Sequence, residues 1–455
     1  MAGRSVSEMN NLRGRGNIVS VLKRKRAKSL TAVALCTAIG FGAFATAAAG
    51  TSAAAVRTSS ARAAKTVTLS FWNNYNGSEV TTMNNVIIPR FEKLNPGIKV
   101  DSQYFPYANL LPKYLAAAAA GNPPDLFRTD IAWTAELASD GVALQVNDLS
   151  WYKATVKNAL PGPLQTTEYK KNAYSLPLDT NTIALYWNKT DFAAAGIKSP
   201  PTTISQLISD AKAMTIPSKD QYGLGVDSTD IWDVSPYIWS EGGSFTNASY
   251  TKASGYMNSG ATRAAVKMLV QGYAGGHGYI GPDIISTTGD SGEAEFPTGK
   301  YAMYIDGPWA VPTFEALKPV PSYGIVPMPA GPGGSHSPTG GEDVVISRGG
   351  KHLTDSELFA QFLDSPFSQL AMAGVGEMSA FANDAAQEVK TTPYYKTFTE
   401  ALTQAYVRPV SQYYGDVDTD FSNAFEEILA GKMTVTEAMN QAAAEADNAL
   451  AGRSS

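Results

Sequence analysis

A chain of 455 residues with 44% hydrophobic and 10% aromatic residues is globular, and it exceeds what one core usually serves, so two lobes are expected. Residues 1–64 hold 10 of the 36 Lys/Arg and one of the 41 Asp/Glu, which leaves the remainder formally at −14. So acidic a body lacks the basic stripes that nucleic acid and anionic lipid require, and neither is expected as a partner.

The chain begins with a basic run, Lys23-Arg24-Lys25-Arg26 with Lys28, followed by mainly apolar residues 30–45. Small residues then recur in Ala47-Ala48-Ala49 and Ala53-Ala54-Ala55. That order is a secretory signal peptide: residues 1–49 are expected to be removed and residues 50–65 to form a flexible N-terminal segment. A membrane anchor is disfavoured because the apolar run is short. The single cysteine, Cys36, lies inside that run, so the body after it has neither disulfides nor thiol chemistry. Leu35 departs from the small residue that precedes a lipidated cysteine. Plain cleavage is expected, with lipid attachment through Cys36 as the alternative.

Residues 66–72 (TVTLSFW) alternate as an opening strand should, and residues 79–94 carry helical spacing that ends at Asn95-Pro96-Gly97. A strand from Ile98, a helix over 108–120, a strand from Asp125 and a helix over 131–138 follow. Strands alternating with helices of this length imply βαβ units and a largely parallel sheet. Residues 174–201 (YSLPLDTNTIALYWNKTDFAAAGIKSPP) then pass from one strand to another across a short acidic extended segment. Chain crossing directly between two sheets is what a hinge between α/β lobes needs.

That segment closely resembles the lobe-crossing region of extracellular solute-binding proteins of the carbohydrate-transport, maltose-binding-protein-like type. Family members read much like Leu-Pro-x-Asp-Thr, then Leu-x-Tyr-Asn-Lys, then a helix and Pro-Pro-Thr-Trp. Here Trp187 is the aromatic and Ile204 replaces the last Trp. The order of further motifs matches: Phe91 to Val100, Ala119 to Asp125, Trp239-Ser240-Glu241-Gly242-Gly243, and Phe296 to Met303 followed by Asp306-Gly307-Pro308-Trp309. The resemblance implies an α/β class II periplasmic-binding-protein fold, two lobes joined by a hinge of crossovers with a ligand cleft between them. Lobe one would take residues 66–178 and 342–380, and lobe two residues 181–339 and 385–455. It also implies a monomeric carbohydrate binder that docks on ABC permease subunits with a separate cytoplasmic ATPase, on the extracellular or cell-envelope side of the membrane.

A sugar needs carboxylates and amides for its hydroxyls and flat rings for its C–H faces. At the first strand's end stand Asn73, Asn74 and Tyr75, for which an ordinary turn is the competing reading. Asp130 and Trp133 follow the strand from Asp125; a helix cap and a core position compete there. Asp179 sits at the first crossover, where it could instead satisfy the bend. Trp309 is the preferred stacking platform. Trp239 and Glu241 are further candidates, Trp239 with packing below Gly242-Gly243 as its alternative. Gly341 and Glu342 lie at the return crossover, where the glycine either admits the ligand or permits the bend. Tyr414 precedes the last helical region, where surface placement competes.

The enzyme alternative is a secreted glycoside hydrolase, whose two carboxylates have no recognisable spacing. No nucleophile elbow, His-Glu-x-x-His or P-loop occurs, and only His277, His336 and His352 are present. No catalytic residue, metal site or cofactor is therefore expected.

Overall fold

The computed structural model describes residues 66–75, 77–285 and 291–452. The expected signal peptide, the flexible segment after it and Cys36 lie outside them. None of the described helices is long and apolar enough to cross a membrane.

The opening strand Val67–Asn73 buries Leu69, Phe71 and Asn73 in strict alternation, as one inward face of a pleated strand requires. It lies second in a five-stranded sheet ordered Ile98–Tyr104, Val67–Asn73, Leu126–Asp130, Glu342–Ile346, Leu176–Pro177. Leu126–Asp130 occupies the centre and is buried at every position. The helix expected before Ile98 forms as Gly77–Thr82, a π-helical turn Met83–Ile87 and Ile88–Leu94. Pro89 accounts for the break, because it has no N–H to give to the preceding turn.

A second sheet is ordered Tyr323–Val326, Ala184–Asn188, Met303–Asp306. Its hydrophobic core takes Leu185, Leu207, Val234, Ile238, Val266 and Phe421. The last two helices, Tyr414–Leu429 and Val435–Leu450, close over that core through Phe425, Ile428, Met439 and Ala442. A capping box at Thr434 and Glu437 starts the final helix.

The expectation of largely parallel sheet needs correction in detail. Val67–Asn73 runs parallel to Leu126–Asp130, but Glu342–Ile346 is antiparallel to both of its neighbours. All three strands of the second sheet pair antiparallel, and parallel pairing survives there in single bridges such as Tyr222 with Tyr301 and Gly225 with Tyr304. Local strand–helix alternation fixes the direction of strands joined by their own helix. It says nothing of strands that arrive through the crossovers, as Glu342–Ile346 and Ala184–Asn188 both do.

Those arrivals make the hinge. Leu176–Pro177 ends in the first sheet, and the Leu178 N–H reaches the Glu342 carbonyl at 2.9 Å. Asp179–Thr180 pairs with Met378–Ser379, and Asn181 and Gly340 exchange two backbone hydrogen bonds of 3.1 and 2.8 Å. Three stretches of chain thus lie side by side between the sheets. Gly341 makes the approach feasible: its φ is +128°, and a Cβ there would stand 2.5 Å from the Asp179 carbonyl oxygen.

Candidate ligand cleft

Two arginines that alternation and strand signals did not single out organise the space between the sheets. Arg128 lies in the central strand on the face opposite Phe127, which stacks on Tyr114 at 4.1 Å. Its side chain is 2% exposed. Nη1 donates to Asn74 Oδ1 at 2.6 Å, and Nη2 meets Glu377 Oε1 at 2.8 Å, Glu342 Oε2 at 3.0 Å and Asp179 Oδ2 at 3.3 Å. The Tyr75 ring lies 4.4 Å away beneath the guanidinium. One buried cation therefore holds a carboxylate from each of three crossing stretches, because Asp179, Glu342 and Glu377 belong to or adjoin one apiece.

Burial alone would push the Arg128 guanidinium down, but Glu342, Glu377 and Asp179 hold it well above the ordinary arginine value. The acids outnumber it. Glu79, also buried, hydrogen-bonds Glu377. Burial followed by Glu342 and Glu377 pushes Asp179 well up, and burial pushes Glu377 to about 7. Oxygens of Asp179, Glu342 and Glu377 lie within 4.8 Å of one another, a set able to hold a metal ion. The positive charge among them is the guanidinium.

Arg408 organises the second group. Its Nη2 lies 2.9 and 3.1 Å from the two oxygens of Asp130, and Nε donates to the Thr339 carbonyl at 3.3 Å. The guanidinium covers the Trp232 ring at 4.8 Å and stands 5.9 Å from the Tyr414 ring. Trp232 in turn stacks on Trp309, centroids 6.3 Å apart at 29°. On the other side Tyr107 donates its hydroxyl to Asp130 at 3.0 Å and packs on Trp133 at 4.8 Å. Contacts therefore run unbroken from Trp133 through Tyr107, Asp130, Arg408 and Trp232 to Trp309. Trp133, Trp232 and Trp309 are each half-buried and Tyr107 is 46% exposed; Trp133 also stacks on Phe127 at 6.4 Å, and Trp232 is in contact with both Arg408 and Trp309.

Strand ends place these side chains. Asp130 closes the central strand of the first sheet, and Trp309 follows Met303–Asp306. Trp232 opens the helix Ile231–Ser240, and Tyr414 opens Tyr414–Leu429. Trp309 packs closely against two glycines: a Cβ on Gly307 would meet its ring at 2.1 Å, and one on Gly376 its Cα at 2.7 Å.

Of the residues singled out from sequence, Asn74, Tyr75, Asp179, Glu342 and the backbone of Gly341 gather around Arg128. Asp130, Trp133, Tyr414 and Trp309 gather around Arg408. Three are placed elsewhere. Asn73 is buried, its amide giving to Ser102 Oγ at 2.9 Å and its oxygen accepting from the Tyr75 N–H, so it shapes the turn after the first strand. Trp239 is 8% exposed, its ring edge-on to Phe245 at 5.9 Å within the second lobe's core. Glu241 caps the end of the same helix beside Gly331.

Arg128, Glu377, Tyr107, Trp232 and Arg408 were missed. Arg128 had a signal, an arginine inside Leu126-Phe127-Arg128-Thr129, where a buried strand demands counter-ions. Arg408 had none, since its partner Asp130 is 278 residues away.

A two-lobe α/β fold with crossovers at its waist and an aromatic, hydrogen-bonding cleft defines the class II periplasmic-binding-protein architecture. Residues 76–370 match the family of bacterial extracellular solute-binding proteins, and the chain belongs to that family. A putative binding protein of Brucella abortus is 28% identical over 372 residues, 79% of this chain and 88% of its own. The multiple sugar-binding protein of Streptococcus mutans is 24% identical over 387 residues, 80% and 87% of the two chains. A solved ABC-transporter solute-binding protein from Thermotoga lettingae, bound to alpha-D-tagatose, superposes with a TM-score of 0.77 at 24% identity, covering 85% of this chain and all of that one. The family binds solutes rather than converting them. This chain is not an enzyme, and the glycoside hydrolase alternative falls.

Proposed function

We propose that the protein is the exported sugar-capturing subunit of an ABC importer. A sugar or oligosaccharide lodges between the Tyr107–Trp133 and Trp232–Trp309 ring pairs, with its hydroxyls met by the Asp130–Arg408 ion pair. One observation carries this reading: carbohydrate-type chemistry, rings beside charge-assisted donors and acceptors, sits where two sheets from different parts of the chain meet. Residues 66–178 with 342–380 and residues 181–339 with 385–455 act as the two jaws, and contacts to both favour the closed arrangement. After cleavage of the signal peptide the loaded monomer docks on permease subunits powered by a separate cytoplasmic ATPase.

Titration calorimetry over mono-, di- and trisaccharides tests capture, with solution scattering on the same samples. The expected result is stoichiometric binding, intact sugar recovered afterwards, and a smaller radius of gyration at saturation. Binding to none of the sugars, or hydrolysed product in the recovered ligand, refutes it.

A further inference from the structure

Among the described residues the cation of the aromatic cleft is Arg408, and Asp130 already pairs with it. Arg408 spends Nη2 on both oxygens of Asp130 and Nε on the Thr339 carbonyl, while its flat face rests on Trp232. Two more carboxylates stand at the same helix start. Asp230 caps Ile231–Ser240 by accepting the Asp233 N–H at 3.0 Å, and Asp418, from the facing helix, accepts the Ile231 N–H at 2.7 Å. The electrostatic surroundings of Tyr414 contain Asp418, Arg408, Asp130 and Asp230 together. Three acids thus share a single guanidinium. Burial and the Asp230 charge push the Asp418 carboxyl to about 7, the response expected of an acid in surplus.

We infer, on the reading that this cleft takes a sugar, that it accepts uncharged saccharides and rejects acidic ones such as uronates. A neutral hydroxyl can donate to the surplus carboxylates and accept from the two N–H groups on Arg408 Nη1, which enter none of the bonds above. It leaves the Asp130–Arg408 pair whole. A uronate carboxylate brings a further negative charge among acids. At Arg408 Nη1 it meets a guanidinium whose charge Asp130 already compensates, and a closer ion pair requires drawing Arg408 off Asp130, which leaves a buried aspartate without its counter-ion. The Asp130–Arg408 pair is therefore a specificity determinant: it compensates the charge of the strongest anion-recognising group in the cleft, so a further anion gains little there.

The test is calorimetry on the full mature chain with pairs that differ only in oxidation at C6: glucose and glucuronate, galactose and galacturonate, maltotriose and its triglucuronate, mannotriose and trimannuronate, and α-1,4-galactotriose and trigalacturonate. At least one neutral sugar is expected to bind, with the acidic partner weaker by about thirtyfold or more, equivalent to about 2 kcal/mol. A uronate that binds as tightly as its neutral partner, or more tightly, overturns this inference while leaving sugar capture intact. Silence from every sugar overturns capture itself, and this inference with it. Asp130→Asn adds a second readout: releasing Arg408 should raise uronate affinity at least tenfold over the wild type while neutral-sugar affinity falls. An unfolded Asp130→Asn protein leaves the wild-type comparison decisive.

Discussion

Replacing Arg128 with methionine removes the cation that three crossing stretches share. The guanidinium is 2% exposed and meets carboxylate oxygens at 2.8, 3.0 and 3.3 Å. Removing one partner of a buried ion pair costs about 3–5 kcal/mol, because the other is left charged and uncompensated. Three acids lose one cation, but burial already biases Asp179 and Glu377 towards the protonated form, so proton uptake limits the cost to about 4 kcal/mol. With an unfolding entropy of about 2.1 cal/mol/K per residue over some 390 residues, that is a fall of about 5 °C in melting temperature. The loss has a pH signature. Without Arg128 the folded-state carboxyls have raised pKa values, so stability is retained at low pH and lost as pH rises through them. Calorimetric melts of Arg128→Met and wild type at pH 7.5 and pH 5 measure both effects. A variant that melts with the wild type at pH 7.5, or that loses as much at pH 5, refutes the account of the hinge as a charge-held joint.

Three further outcomes are expected. In the wild type, burial first of all pushes Asp343 to about 8 and Glu377, Glu388 and Asp418 to about 7, above unfolded values of about 4. Stability from these groups is whole below pH 4 and lost up to pH 8, so the urea midpoint should fall between pH 5.5 and pH 8; a rising midpoint contradicts this. Gly341→Ala must place a Cβ against the Asp179 carbonyl at a φ of +128°, and should lower stability by about 1–3 kcal/mol in urea titration, against no change if the crossovers are slack. Trp309→Ala removes a half-buried ring and should weaken sugar binding about ten- to a hundredfold, roughly 1–3 kcal/mol, with the unliganded melt moved little. Lost melting temperature with intact affinity would make that ring structural.

The strands and helices were legible because local patterns determine them: Val67–Asn73, Tyr107–Ala119 and Ala184–Asn188 each fall within about two residues of where alternation, prolines and glycines put them. Half of the candidate site was legible for a similar reason. Asp130, Trp309 and Tyr414 stand at element boundaries, and boundaries leave traces in sequence. Trp232 and Trp239 show where that logic stops. They are seven residues apart on one helix, so they share a face but differ in depth by about 10 Å. The resemblance drew attention to the inner one, while the one at the helix start reaches Arg408. Sequence carried no information on that depth, nor on the pairing of Arg408 with an acid 278 residues away.

The position of Glu342–Ile346 bears on when this chain can fold. That strand sits between Leu126–Asp130 and Leu176–Pro177, and the latter joins the first sheet only through it. An emerging polypeptide therefore lacks the inner strand of its N-terminal lobe until residue 346 has been made, with Asp130 waiting for Glu342 across more than two hundred residues. Closing so long a loop is slow, since its entropy must be spent before any contact rewards it. The discontinuity that forms the hinge therefore also delays completion of the first sheet until its inner strand has been made.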